Sequence, residues 1–342
     1  MLLLATDPAF EQHDTGPGHP ERARRLAAVL RGPEAADLGD AVRLLEPREA
    51  TTAELSRVHP PEYLEALERF CAAGGGDIDA DTRASAGSWR AGKLAAGAGL
   101  AAVEALRRGE GDAAFLAVRP PGHHALAARP MGFCLINNIA VVAANLAEAG
   151  ERVLVLDWDA HHGNGTEAIF WDEPRVLYVS THQYGGFYPG TGALDDVGGP
   201  AARGATLNLP FPAGATGDVY LRALDEVVAP AAERFDPTWV LVSAGYDGHR
   251  DDPLTDLGLS AGDFADIARR VARFAPARGR LVLFLEGGYD LEALTTSVGA
   301  SLAAVLDAPY RPEQATSGGP GANVVTAARD LRQRLADIAS DS

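Results

Sequence analysis

Val-Leu-Val-Leu-Asp-Trp-Asp-Ala-His-His-Gly-Asn-Gly-Thr, residues 153–166, joins an apolar run to a cluster of carboxylates and imidazoles. Four apolar residues, Val153 to Leu156, read as a buried strand that runs straight into a polar cluster. Asp157, Asp159, His161 and His162 crowd into six positions, with Gly163 and Gly165 behind them. In an extended segment alternate side chains point the same way, so Asp157, Asp159 and His161 are predicted to share one face. A carboxylate and an imidazole two residues apart can reach one metal ion, and such ligand sets suit borderline divalent ions such as zinc. A lone Asp-x-His is more often a strand exit hydrogen-bonded to loop backbone. With Asp157, His162 and two glycines added, the pattern favours a metal site.

Outward from this strand, the apolar runs Leu2 to Ala5, Ala114 to Val118, Val176 to Ser180, Trp239 to Val242 and Leu281 to Leu285 also lack period-two alternation. Strands buried on both faces of a parallel sheet read this way. Helical stretches separate them. A first helix is predicted to open at Pro20 and to end before Gly32. Others cover Pro61 to Ala73, Ser88 to Arg108, Asn137-Asn138 to about Gly150, Asp218 to Phe235, Ser260 to Ala275, the segment after Asp290, and Val324 to Ile338. Ser260 and Asp263 resemble a capping box. Residues 77–82 read as an acidic loop, Gly185 to Gly204 as a glycine-rich loop, and Ser317 to Gly321 as a small linker. The fold class expected is α/β: a single domain with a mostly parallel central sheet flanked by helices on both faces.

The 342 residues are 46% apolar, enough for a substantial core. A net charge of −17 and a pI near 4.9 argue against a nucleic-acid binder, whose footprint is a basic stripe. An acidic surface attracts cationic partners such as lysine-rich peptides or polyamines at low salt, or simply keeps the protein soluble. Cys71 and Cys134 are the only cysteines, so there is no disulfide framework and a reducing compartment is the default. The opening Met-Leu-Leu-Leu-Ala lacks a basic region and meets Asp7 too soon for a signal peptide. No apolar run approaches membrane-spanning length. A cytoplasmic protein with neither nucleic-acid nor membrane partners is expected, and a homo-oligomer is left open.

Ligands of open parallel sheets bind beyond the carboxyl ends of the strands. The remaining polar clusters lie there: Arg-Pro-Pro-Gly-His-His at 119–124, Ser-Ala-Gly-Tyr-Asp at 243–247 and Glu-Gly-Gly-Tyr at 286–289. Six of the nine histidines (His123, His124, His161, His162, His182 and His249) follow predicted strands, which argues against scattered core histidines. Asp247 is the natural third ligand, because Asp159, His161 and Asp247 leave a coordination position open, the mark of a catalytic zinc site. Taken alone, Asp247 reads equally well as a turn-capping carboxylate.

Together with Gly-Phe-Cys at 132–134 and Tyr-Pro-Gly-Thr-Gly at 188–192, these segments resemble the histone deacetylase family, in its class II and bacterial amidohydrolase branch. The resemblance runs from about Gly18 to about Val305. It implies an arginase/deacetylase-type domain over residues 1–310, with 311–342 as a linker and C-terminal helix. It implies a metal-dependent amidohydrolase that removes acetyl or other short acyl groups from lysine side chains or similar small amides. Asp159, His161 and Asp247 would hold zinc, with Fe2+ the alternative in vivo. His123 and His124 would be the paired histidines, His124 the general base and then acid. Asp157 would orient His123, and Asn164, where class I relatives have Asp, would support His124. Tyr289 would donate to the developing oxyanion; some relatives with His in that place deacetylate poorly. Phe133 and Tyr188 would flank the acyl-lysine stem, with Gly132 and Leu254 also at the substrate. Structural potassium is implied at Asp157, Ser180 and Thr181, with Phe170 and Val176 near a second site. Arginase-type ureohydrolases need a carboxylate where this chain has Gly163. Two further readings stay open, an acetylpolyamine deacetylase and an inactive acyl-lysine binding protein.

Overall fold

The carboxyl ends of four adjacent parallel strands organise the molecule. In this computed structural model, which describes residues 1–340, the strands are β1 (Leu2–Ala5), β2 (Val42–Leu45), β3 (Gly75–Asp77), β4 (Arg83–Ser85), β5 (Ala113–Leu116), β6 (Val153–Asp157), β7 (Val176–Gln183), β8 (Thr206–Phe211), β9 (Trp239–Ala244) and β10 (Leu281–Leu285). Eight of them form one sheet in the order β2-β1-β5-β10-β9-β6-β7-β8, parallel throughout. β3 and β4 make a separate antiparallel hairpin. Every residue of β5, β6, β9 and β10 is buried, as strands covered on both faces must be. Helices Ser88–Arg107 and Asn138–Glu148 pack together as one group; Arg24–Ala35, Ala261–Ala272 and Leu291–Val305 form another.

The caps explain several helix starts. The Asn137 side chain accepts from Ala140 N, Asp290 accepts from Glu292 N and Ala293 N, and Ser260 with Asp263 forms a complete capping box. The helix predicted over 218–235 runs Gly217–Phe235 with a wide turn at Leu224–Val228, just ahead of Pro230, whose missing N–H cannot continue the regular ladder.

The first helix differs from its prediction at both ends. It starts at Arg24 because Glu21 is drawn into a buried ion cluster, and it continues through Gly32 and Pro33 to Ala35. Gly32 is a packing residue rather than a terminator. A Cβ there would stand 2.9 Å from Gly299 N, on the helix packed against it. The edge strands β2 and β8 were not predicted. The first is short and leaves Leu44 73% exposed, and the second carries Pro210, which argues against a strand on sequence alone. The acidic loop expected at 77–82 is the tip of the β3–β4 hairpin, which starts at Gly75. The last helix, Ala322–Ser340, lies against β8, with Val325 and Ala328 buried. No helix among the described residues is long and apolar enough to cross a membrane.

Candidate metal centre and active site

β6 ends at Asp157, so strand alternation stops there and a turn, not a shared strand face, brings Asp159 and His161 together. Asp159 Oδ1 accepts from the backbone N of His161 at 2.8 Å, and its Oδ2 accepts from Gly287 N at 2.7 Å. β9, paired beside β6, delivers Asp247, whose Oδ1 accepts from Ala160 N at 2.9 Å. His161 Nδ1 then lies 2.9 Å from Asp247 Oδ2 and 3.2 Å from Asp159 Oδ1. One ligand atom from each of the three residues falls within 4.8 Å of the others.

The charges in this cluster do not balance. Burial, with the charge of Asp159 beside it, pushes the Asp247 carboxyl up to about 7. Burial opposes ionisation of Asp159 too, but His123 and His161 hold its carboxyl well below the usual range. Burial pulls His161 down, and the hydrogen bonds and charges of the two carboxylates outweigh it, lifting the imidazole to about 10. Two buried carboxylates converging on one imidazole nitrogen form a donor set that fits a divalent cation.

The loop after β5 supplies the histidine pair, with ring centroids 4.0 Å apart. His123 Nδ1 is 2.9 Å from Asp157 Oδ2, and His124 Nδ1 is 2.8 Å from Asn164 Oδ1. Burial lowers both imidazoles. For His123 the charges of Asp157 and Asp159 overcome it and raise the ring to about 10; His124, beside His123 and His161, is held well below its ordinary value. With Asn164 Oδ1 accepting from Nδ1–H, His124 is neutral and its Nε2 lone pair is free.

The loop after β10 supplies Tyr289. Asp252 Oδ2 accepts from Tyr289 N at 2.6 Å, and Asp252 Oδ1 from Leu254 N at 3.0 Å, so one carboxylate ties both segments. The Arg25 guanidinium sits 5.0 Å from the Tyr289 ring centroid and donates to the carbonyls of Gly288, at 2.6 Å, and Glu286. Arg25 and Arg119 both pair with Glu21, and all three are fully buried. Burial pushes the Tyr289 phenol well above its ordinary value, which keeps it a proton donor. Glu286 accepts from the backbone N of Gly122 and of His123, joining the tyrosine loop to the histidine loop.

A cavity of about 310 Å³ opens over this floor. Its lining includes His123, His124, Gly132, Phe133, His161, Tyr188, Leu254 and Tyr289, eight of the residues singled out from the sequence. The carboxylates of Asp159 and Asp247 lie beneath; Asp157 and Asn164 stand behind the histidine pair. Ser180 is in register with Asp157 across β6 and β7, and Thr181 Oγ1 lies 3.4 Å from the Asp157 carbonyl. The acidic loop at 77–82 brings Asp81 to the lining, and the sequence reading missed only the role of Phe187, which stacks on His161 with centroids 4.8 Å apart. Phe187 sits one residue before the Tyr-Pro-Gly-Thr-Gly segment, but nothing in its spacing shows which ring it meets. The supporting roles of Glu21, Arg25 and Asp252 left no readable signal, because each acts through contacts distant in the chain; Glu286 lies in a recognised segment, but its bonds to the histidine loop could not be read there.

Three histidines depart from expectation. His162 bonds to Thr191 and Glu167, His182 to Ser180 and the Gly192 carbonyl, and His249 to Glu313. All three are buried outside the cavity lining, so the core reading rejected for the six histidines holds for these.

Comparison with known proteins agrees with this architecture. The histone deacetylase domain family matches residues 19–305. A protein of Archaeoglobus fulgidus named "Probable deacetylase" is 40% identical over 288 residues, covering 83% of this chain and 80% of its own length. The histone deacetylase-like amidohydrolase of Pseudomonas aeruginosa is 41% identical over 275 residues, covering 79% of this chain and 72% of its own. The crystal structure of the HDA15 HD domain superposes with a TM-score of 0.89 at 33% identity, covering 99% of this chain and 97% of that one. These similarities define a deacetylase-type hydrolase. The chain belongs to the histone deacetylase family.

Proposed function

We propose that this protein is a zinc-dependent amidohydrolase that removes acetyl or other short acyl groups from lysine side chains or similar amines. One observation carries the reading: the Asp159–His161–Asp247 cluster lies under a cavity whose walls hold the histidine pair and Tyr289. Asp159, His161 and Asp247 would hold the metal. When bound, zinc supplies a Lewis acid for the amide carbonyl and lowers the pKa of water at the site to about 7.

The chain's own residues do the rest. His124 Nε2, left without a proton by the bond that Nδ1 makes to Asn164, takes a proton from the attacking water and returns it to the leaving amine. His123, oriented by the bond between its Nδ1 and Asp157, stands beside His124 in the same wall. The Tyr289 hydroxyl donates to that oxyanion as its charge develops. Phe133 and Tyr188 line the walls where the neutral methylene stem of an acyl-lysine passes, and Leu254 adds an apolar edge. Asp157, Ser180 and Thr181 would hold structural potassium, with residues 1–310 as the catalytic domain and the cytoplasm as the location.

Acetylpolyamine hydrolysis is a second reading, favoured by the Asp81 carboxylate in the same cavity lining. Against it stands Leu254, since a second ammonium stripped of water beside an apolar side chain is costly. Acetate release from acyl-lysine peptides and acetylpolyamines, assayed side by side with and without zinc, separates the readings. Acyl-lysine is the expected substrate. Metal binding without turnover on any substrate supports the inactive acyl-lysine binder instead.

A further inference from the structure

The Asn164 side chain meets two partners, one at each end of its amide. Its Oδ1 lies 2.8 Å from His124 Nδ1, and its Nδ2 lies 3.4 Å from the sulfur of Met131. A carboxylate such as Asp157 accepts on both oxygens, so it receives the His123 proton whichever way it is turned. A carboxamide is different, because its two ends are a donor and an acceptor, and turning it over reverses what it offers the imidazole. With Nδ2 toward His124, the ring would be held with its proton on Nε2, and the lone pair needed for proton abstraction would be gone.

We propose that Met131 is a positioning residue: its acceptor-only thioether fixes the Asn164 amide, and through it the tautomer of His124. The proposal rests on the assignment of His124 as the general base. A thioether sulfur carries no proton, so it admits only the NH2 end of the amide. That turns Oδ1 toward His124, requires the proton on Nδ1, and leaves Nε2 bare.

Met131 is held for this task. Its backbone exchanges both hydrogen bonds with Cys134, at 3.1 and 2.9 Å, across a two-residue turn. Gly132 and Phe133 both have positive φ there, at 56° and 68°. Such a turn gives methionine, otherwise the most adaptable apolar side chain, a fixed origin. Arg129 Nη2 donates to the same sulfur at 3.2 Å. The turn also lays Gly132 against the His124 ring, where a Cβ would overlap the imidazole. Met131 is absent from the cavity lining, so it acts through Asn164 rather than on substrate.

The test uses zinc-loaded full-length protein. Met131→Leu keeps the volume and removes the acceptor. Turnover should fall about two- to tenfold, the scale of one hydrogen bond, with KM unchanged. Nitrogen-15 spectra of histidine-labelled protein, with His124 assigned by its loss in His124→Ala, should show the Nδ1–H form in wild type and a mixture in Met131→Leu. In an Asn164→Asp background, where orientation no longer matters, Met131→Leu should cost nothing further. Unchanged turnover, an equal loss in both backgrounds, or an unaltered His124 tautomer overturns the proposal. Should the wild type show no deacetylation, the functional reading fails, while the tautomer spectra still decide the role of Met131.

Discussion

Two clusters of buried charge lie on either side of the Tyr289 loop, and they are built on opposite terms. In the first, the carboxylate of Glu21 meets Arg119 and Arg25, with His13 Nε2 at 3.4 Å from it. Burial alone would raise Glu21, but Arg119 and its neighbours hold the carboxyl well below its ordinary range. In the second, Asp159 and Asp247 share one imidazole, and Asp247 is pushed up to about 7. The first cluster satisfies its charges from within the chain, so it can serve as structure. The second sets two carboxylates against one imidazole, a deficit of positive charge that fits a divalent cation. Arg25 links the two, since it pairs with Glu21 and also donates to the Gly288 and Glu286 carbonyls under the Tyr289 ring.

The sharpest test of this contrast removes a ligand from the deficient cluster. Asp159→Ala should abolish zinc binding and deacetylation together, while the fold survives, because the mutation relieves a crowded negative charge. Metal analysis and a thermal melt read both halves. Stoichiometric zinc in the purified variant would falsify the ligand assignment.

Next in size is Glu21→Gln, which leaves two buried guanidinium groups without their carboxylate. Breaking a buried pair in this way costs about 3–5 kcal/mol, and denaturant unfolding measures it. The sign with pH follows from the depressed pKa. Glu21 contributes stability in full above its unfolded value of about 4.3, and loses it as pH falls toward the folded value. Wild type should therefore weaken on acidification below about pH 4.3, and Glu21→Gln should lack that part of the dependence. A variant of wild-type stability would place Glu21 outside the structural cluster.

Tyr289→Phe tests the loop between the clusters. Deleting one oxyanion donor should lower turnover about 10²–10³-fold, with zinc content and stability unchanged. Near-normal turnover would mean that the ring only packs against Arg25 and Phe133.

The smallest effect is expected at the cavity edge. Leu254→Glu adds a carboxylate at the cavity edge, where a second cationic group on the substrate could pair with it. The ratio of kcat/KM for acetylpolyamine over acetyl-lysine peptide should rise about tenfold, the equivalent of one charge-assisted hydrogen bond. An unchanged ratio would show that Leu254 does not meet the substrate at that depth. If wild type already prefers acetylpolyamines, the substrate assignment fails and the chemistry does not.

The parallel core and the gathering of polar segments at one edge of it were legible in the chain. Val153 to Leu156, Trp239 to Val242 and Leu281 to Leu285 are apolar without alternation, and covered parallel strands require that pattern. Since ligand sites in such sheets lie beyond the carboxyl ends, the clusters at 119–124, 157–164, 243–247 and 286–289 could be assigned to one site before any coordinates. Tertiary structure alone decided which polar groups belong to that site and which to the core. His161 and His162 are neighbours in the chain, yet one faces Asp247 and the other Thr191 and Glu167. Gly32 looked like a helix end and proved to be a contact with Gly299, and Glu21, inside the helix predicted to open at Pro20, proved to lie outside it as the partner of Arg119. The physical reason is the same in each case. Periodicity records how a segment is covered, whereas the partner of a buried charge is chosen by sheet order and loop path, across separations that leave no local trace.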